Sequence, residues 1–242
     1  MLSHEQRNAR PPPLLYLFFS FPAAREAFAE VLRLKLSHLG PEHRSLASAY
    51  RDLGRSCVSC KLFQAAELHF SAGVTLCSKI FGEANETTAC ALTDLASVLR
   101  EQEKFPAAEG YARRALACLK SSVGSDDIAT ATALYNLGGL SKRQEKWGEA
   151  EVSYGEALRI FKTKLGDGVA ETADTLYQMG CLYKKQGNTL PALSFFKQAA
   201  QAYSKCFGDG DKRVAECLKR AAAMQDRVNA KPAAARTKIT NK

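Results

Sequence analysis

The sequence predicts an all-α fold in which a pair of helices repeats every 42 residues. Two columns of small residues carry this prediction. The first is a set of alanines at that spacing, namely Ala24, Ala66, Ala108, Ala150 and Ala192. The second is a set of glycines at the same spacing, namely Gly40, Gly82, Gly124, Gly166 and Gly208. Self-similarity at a fixed period of this length is typical of architectures that stack one small helical unit on the next.

Each glycine of the second column is expected to end a helix. The residue before it is always apolar, as Phe81 is before Gly82, and turn-forming residues follow it. Glycine enters left-handed backbone conformations at little cost, which makes it the usual residue just after a helix C-terminus. One helix should therefore run from each glycine loop to the next aromatic position, such as Phe105 or Trp147. The second should run from that aromatic to the next glycine.

The repeat places four complete helix pairs in the chain, with a single helix at each end. The expected pairs lie near residues 42–81, 84–123, 126–165 and 168–207, and the single helices near 22–39 and 211–228. Prolines 22, 106 and 191 are expected in the first turn of second helices, where a missing N–H costs little. The three regions are an irregular segment over residues 1–20, the repeats over 21–230 and a disordered basic tail over 231–242. The single helix at each end leaves open whether the chain is complete or a fragment.

A further column of small residues falls inside the first helix of each pair. Its members are Gly54, Ala96, Gly138, Gly180 and Ala222. A glycine inside a helix costs about 1 kcal/mol relative to alanine. The column therefore predicts close approach between helices.

The charge distribution argues against a nucleic-acid partner. The net charge is +9, but the last twelve residues carry four positive charges and no acidic residue. A solvated basic tail explains this better than a nucleic-acid-binding face. The sequence lacks the roughly 20-residue apolar run that a membrane span needs, so membrane insertion is not expected. The short apolar stretch 14–21 only weakly resembles the core of a signal peptide.

The eight cysteines lie mostly among apolar or small residues, which favours a reducing compartment and a cytoplasmic location. Cys57 and Cys60 form a single CxxC, which could be half of a zinc site or a redox pair, but no second CxxC accompanies it. The GDGD at 208–211 lacks the glutamate of a calcium loop. The common nucleotide-binding, metalloprotease and hydrolase motifs are missing. We therefore expect no cofactor, no metal and no enzymatic activity.

The pattern within one unit resembles the tetratricopeptide repeat. The residues that carry this resemblance are Leu176, Met179, Gly180 and Tyr183, followed by Ala192 and Phe196. HEAT repeats have a similar length but lack this combination of small and aromatic residues. The period of 42, with the stretches YNLGGL and WGEAEVSYGEALRIFKTKLG, resembles the kinesin light chain type of this repeat over about residues 21–230.

The resemblance implies a right-handed superhelix, or α-solenoid, whose first helices line a concave groove. Such grooves bind extended peptides, and the cargo-binding repeats of kinesin light chains, which are microtubule-associated, are the nearest functional parallel. Light chains also carry heptads that bind the motor heavy chain. Residues 1–20 show no heptads, so a motor heavy chain is not an expected partner.

The outward face of the first helices is the expected peptide-binding groove. Its residues are Arg51, Asp52, Arg55, Thr93, Asp94, Ser97, Arg100, Tyr135, Asn136, Lys142, Arg143, Tyr177, Gln178, Lys184 and Lys185. By resemblance, the amide of Asn136 would clamp a peptide backbone through its donor and its acceptor. Asp52, Asp94 and Gln178 depart from the asparagine of the family pattern. The charged residues could instead be solvated faces, and Tyr135 and Tyr177 could serve packing as well as ligand contact.

The sequence thus predicts a non-catalytic scaffold for protein–protein interaction. The expected partner is a protein or extended peptide with acidic residues and aromatic or aliphatic anchors. The alternative is that the repeats are a module or fragment of a larger signalling or regulatory protein, for example one with a nucleotide-binding domain upstream.

Overall fold

A computed structural model describes the backbone of residues 13–236 and the side chains of residues 23–229. This part of the chain forms ten helices and no strand. The helices are α1 (Pro13–Leu39), α2 (Leu46–Ser59), α3 (Phe63–Phe81), α4 (Glu86–Glu101), α5 (Phe105–Ser122), α6 (Ile128–Arg143), α7 (Trp147–Leu165), α8 (Ala170–Lys185), α9 (Thr189–Phe207) and α10 (Lys212–Arg236). The predicted all-α repeat, with four pairs and a single helix at each end of the described part, is confirmed.

The chain divides into two compact units, Met1–Cys118 and Leu119–Lys242. In the first unit α2 packs against both α1 and α3, and α3 packs against α4. In the second unit each helix from α6 to α9 packs against the next one in sequence. Packing between sequential helices is what a stacked helix-pair repeat requires.

The alanine column lies in the core of the repeats. Ala66, Ala108, Ala150 and Ala192 are each 0% exposed, all in the second helix of a pair. The second helices begin at Phe63, Phe105, Trp147 and Thr189, as the 42-residue period predicts.

The two terminal helices are longer than predicted. Helix α1 begins at Pro13, so residues 13–20 are helical rather than irregular, and Pro22 lies inside a helix rather than in its first turn. Helix α10 continues to Arg236 and takes in six residues of the expected tail. Pro13 suits the start of α1 because its missing N–H is not needed there, and alanines favour the extension of α10. The remainder of those two segments, 1–12 and 237–242, lies outside the described residues.

The glycines that end the second helices adopt a conformation other than the expected left-handed helical one. Gly82 has φ 80° and ψ 176°, and Gly166 has φ 92° and ψ −179°. A positive φ with an extended ψ is essentially restricted to glycine. The glycine column is therefore required by the backbone even more strongly than expected.

A column of threonines, which the sequence interpretation missed, forms hydrogen bonds at these same junctions between helices. The hydroxyls of Thr88, Thr130 and Thr172 donate to the carbonyl oxygens of Gly82, Gly124 and Gly166, at 2.8, 2.7 and 2.8 Å respectively. All three threonines are 0% exposed. Each hydroxyl thus fixes the start of a first helix to the preceding glycine loop and satisfies a carbonyl at that corner.

The first helices end in a second kind of turn. Glu103 has φ 59°, and its N–H donates to the Arg100 carbonyl at 3.0 Å while the Lys104 N–H donates to the Leu99 carbonyl at 2.9 Å. This hydrogen-bond pair is the Schellman motif, which stops a helix with one left-handed residue. The residues at the same position in the other pairs are Lys61, Glu145 and Gly187.

The glycines inside the first helices make room for an aromatic ring of the following helix. A Cβ at Gly138 would lie 2.9 Å from the ring of Tyr154, and one at Gly180 would lie 2.8 Å from the ring of Phe196. Where Ala96 replaces the glycine, Ala112 stands at the aromatic position. The predicted close approach is therefore between the first-helix backbone and a side chain, and the residue sizes at the two positions are matched.

Candidate functional site

All the predicted groove residues are half-buried or exposed on first helices, and they divide between the two units. Seven lie on α2 and α4 in the first unit, and eight lie on α6 and α8 in the second.

In the first unit the main contact joins Arg51 and Asp94. The Arg51 Nε donates to Asp94 Oδ2 at 2.7 Å, beside a cavity of about 190 Å³ that Asp52 also lines. Burial raises the pKa of the Asp94 carboxyl above its usual value, although the Arg51 charge opposes that rise. The pair neutralises most of the charge at this position.

The other first-unit residues make mainly local contacts. The Thr93 hydroxyl donates to the Ala89 carbonyl of its own helix at 2.9 Å, and Arg100 forms an ion pair with Glu101 at 3.0 Å. Arg55 is exposed and Ser97 is half-buried. The charges of this face are of both signs, and two of its three arginines, Arg51 and Arg100, are paired with carboxylates.

In the second unit the predicted tyrosines pack against rings of the following helices. Tyr135 meets Tyr154 edge-on with ring centroids 5.7 Å apart, and Tyr177 meets Phe196 in the same way at 5.9 Å. The guanidinium of Arg220 lies 5.2 Å from the Tyr177 ring centroid. Burial raises the pKa of Tyr177 to about 12. Both tyrosines remain half-buried, so each serves packing and still presents part of its surface.

The two predicted amides differ in their environment. The Gln178 side-chain oxygen accepts a hydrogen bond from the Lys142 ammonium. Asn136 is half-buried and makes no side-chain hydrogen bond with any described residue. Asn136 therefore has both its donor and its acceptor available to a ligand.

A cavity of about 600 Å³ brings together the basic residues of α6 and α8. Its lining residues are Lys142, Arg143, Glu145, Trp147, Cys181, Lys184, Lys185 and Arg220. The four basic residues on α6 and α8 were predicted as groove residues, whereas Glu145, Trp147, Cys181 and Arg220 were not. The period could have identified two of them, because Arg220 falls 42 residues after Gln178 and Cys181 falls 84 after Ser97.

The charges around this cavity are unbalanced, and we call it the cationic cavity. Arg143, Lys184 and Lys185 form no ion pair within the part of the chain that the structure describes. The Arg220 Nε pairs with Glu216 at 2.6 Å, and its Nη1 lies 3.8 Å from the Cys181 Sγ. Burial lowers the pKa of the Lys142 ammonium below its usual value, and the nearby Arg143 lowers it further. The cavity therefore has a surplus of positive charge.

Other classes of site find no support in the described residues. No three His, Cys, Asp or Glu side chains there are grouped to hold a metal ion. The eight cysteines, Cys57 and Cys60 among them, form no disulfide. None of the described helices combines the length and the apolar character needed to cross a membrane.

Comparisons with known proteins identify the repeat and the fold. A family model for the tetratricopeptide repeat matches residues 87–163 and again 129–205. Among curated protein sequences, none matches the chain significantly.

Solved structures share the fold at low sequence identity. The crystal structure of BtubC (BKLC) from P. vanneervenii is 18% identical with a TM-score of 0.66, over 93% of each chain. The TPR-like repeats of a putative kinesin light chain from Podospora anserina are 15% identical with a TM-score of 0.69, over 78% of this chain and 90% of that one. YrrB, described as a TPR protein with an unusual peptide-binding site, is 18% identical with a TM-score of 0.55, over 85% of this chain and 87% of that one.

The family match falls on the helix pairs whose alanine, glycine and aromatic positions recur every 42 residues, and the solved structures share their arrangement. Residues 87–205 of this chain are therefore tetratricopeptide repeats.

Proposed function

We propose that this chain is a non-catalytic protein-binding scaffold that holds an extended peptide on the first-helix face of its second unit. The observation that carries the proposal is the cationic cavity, where five basic side chains and one carboxylate surround about 600 Å³ of space. Tetratricopeptide repeat proteins typically bind peptides and proteins. An acidic peptide is the ligand that this charge distribution favours.

The contacts of a bound peptide follow from the residues beside the cavity. Asn136 has a free amide, so it can donate to a peptide carbonyl and accept from a peptide N–H. The exposed parts of Tyr135 and Tyr177 offer apolar surface to an aromatic or aliphatic anchor. Acidic side chains of the peptide would enter the cavity and meet Arg143, Lys184 and Lys185.

The resemblance to kinesin light chain repeats supports cargo recognition in the cytoplasm as the cellular form of this activity. YrrB, which shares this fold, is described as having an unusual peptide-binding site, and this supports peptide binding by the fold. The first unit has a more neutral face because Arg51 and Asp94 form an ion pair. We therefore assign the acidic part of the peptide to the second unit.

A peptide-display selection on the 242-residue chain tests this function. We expect enriched peptides to combine acidic residues with one or two aromatic or aliphatic residues. Asn136→Ala should weaken a selected peptide at every salt concentration, because a peptide group loses its partner at a cost of about 1–3 kcal/mol. Recovery of only basic peptides, or enrichment of RNA instead of peptides in a parallel selection, would refute the proposal.

A further inference from the structure

The cationic cavity has more basic residues than the carboxylate of an ordinary acidic peptide can neutralise. Helix C-termini often carry lysine or arginine because these charges compensate the helix dipole. That explanation accounts for Lys142 and Arg143 at the end of α6 and for Lys184 and Lys185 at the end of α8. It does not account for Arg220, which projects from the interior of α10 into the same cavity.

The available charge exceeds what one carboxylate can neutralise. Arg143, Lys184 and Lys185 have no ion-pair partner among the described residues. Lys142 contacts the neutral amide of Gln178 and lies 6.0 Å from the centroid of the Tyr154 ring, and neither contact supplies a negative charge. The acidic residue of the lining is Glu145. A single carboxylate from a peptide would leave most of this positive charge uncompensated.

Burial makes an anion more favourable here than on an open surface. Lys142 is half-buried, and burial lowers the pKa of its ammonium, so its charged form is destabilised until an anion enters. Trp147 adds an apolar wall to the same cavity. The space is therefore suited to a doubly charged group attached to an apolar or aromatic stem.

We propose that the cationic cavity binds a phosphomonoester dianion, carried on a phosphorylated side chain of the peptide ligand. This inference rests on the proposed function, because it specifies the acidic group that the same site receives. A phosphoryl group offers nearly two negative charges and three acceptor oxygens, which match several lysine and arginine donors at once. Arg143 can bind two of those oxygens through its planar fork.

The reactivity of Cys181 can report whether the cavity is occupied. Its thiol lines the cavity and is half-buried, whereas Cys206 is half-buried elsewhere on α9. An occupant of the cavity should shield Cys181 from a neutral alkylating agent such as iodoacetamide and leave Cys206 unaffected. Mass spectrometry of the alkylated peptides measures both thiols in one sample.

The experiment compares phenyl phosphate, inorganic phosphate and benzoate as protecting anions. We expect phenyl phosphate to slow alkylation of Cys181 with a midpoint about tenfold below that of benzoate, because a dianion engages more of the basic groups. Equal protection by inorganic phosphate would identify a free anion as a second source of the same ligand chemistry. Equal midpoints for phenyl phosphate and benzoate, or no protection by either, would overturn the proposal.

A variant and a second method guard against indirect effects. Arg143→Gln with Lys184→Gln should abolish protection by phenyl phosphate, whereas Lys164→Gln with Lys197→Gln, exposed lysines outside the cavity, should not. Phosphorus-31 NMR of phenyl phosphate should show binding to the wild type and not to the cavity variant, even if Cys181 reacts slowly. If acidic peptides are selected but phenyl phosphate does not bind, this inference fails and the proposed function stands. If phenyl phosphate binds but no peptide is selected, the proposed function fails and the anion site remains.

Discussion

Gly138 on α6 lies directly against the ring of Tyr154 on α7, and a Cβ at Gly138 would come within 2.9 Å of that ring. The fully buried ring cannot move away without disturbing its own neighbours. We predict that Gly138→Ala lowers the free energy of unfolding by about 1–3 kcal/mol, as overpacking in a core usually does. Chemical denaturation measures this change.

The neighbouring glycine supplies the control for that prediction. A Cβ at Gly139 would lie 3.5 Å from the Tyr154 hydroxyl, which is ordinary contact. Gly139→Ala should therefore leave stability unchanged or raise it by up to about 1 kcal/mol through helix propensity. In a Tyr154→Ala background the cost of Gly138→Ala should disappear. Equal effects of the two glycine substitutions would mean that the ring does not require the glycine.

The left-handed residue that ends α4 provides a second prediction. Glu103 has φ 59°, a conformation that glycine adopts with less strain. We expect Glu103→Gly to stabilise the protein by about 1 kcal/mol, since a non-glycine residue in this region costs about 1–2 kcal/mol. Glu101→Gly, two residues earlier and still helical, should instead destabilise by about 1 kcal/mol. A destabilising Glu103→Gly in thermal melts would contradict the assignment of this turn.

Much of the fold was predictable because each position of the repeat occurs several times in the chain, so that one pattern could be checked against several units. The alanine and glycine columns located the helix pairs. Of the three prolines expected in the first turn of a helix, only Pro22 lies elsewhere, because its helix begins earlier, at Pro13. The threonine column is shorter, with three members at the same spacing of 42 residues, but it was also visible in the sequence. It was missed because a hydroxyl that bonds to a loop carbonyl gives no hydrophobic or turn signal.

The site was harder to predict than the fold, because side chains combine according to the packing of helices. The sequence placed Lys142 and Gln178 in the same expected groove, but it did not show that they bond to each other. Arg220 was not among the predicted groove residues. It lies 42 residues after Gln178, which is a predicted groove residue, and this spacing was the clue in the sequence to its position in the cavity.

Acid should weaken the start of α10. The Asp211 carboxylate accepts from the Arg213 backbone N–H at 2.8 Å and from its Nε at 2.9 Å. These contacts, the side-chain hydrogen bond first, lower the pKa of Asp211 from 3.8 to about 2. Because the folded-state pKa is the lower one, the stabilisation is present above pH 3.8 and is lost as the pH falls through about 2.

Two variants separate the charge of Asp211 from its capping role. Asp211→Ala should melt below the wild type at pH 6, and this difference should shrink between pH 4 and pH 2. Asp211→Asn keeps a capping oxygen without the charge, so its melting temperature should fall less than that of Asp211→Ala at pH 6. A wild-type advantage over Asp211→Ala that persists unchanged at pH 2 would show that the carboxylate charge is not involved.

The most direct test of the peptide-binding site is the affinity of a selected acidic peptide for two charge-matched variants. Lys184→Glu with Lys185→Glu reverses two charges in the cationic cavity, and Lys164→Glu with Lys197→Glu reverses two exposed charges elsewhere in the second unit. Fluorescence anisotropy at low and high salt should show that the cavity variant binds about tenfold more weakly at low salt, with a smaller loss at high salt, because exposed charges are screened. The control variant should bind like the wild type. Equal affinity of the two folded variants for the peptide would contradict the assignment of this cavity as its binding site.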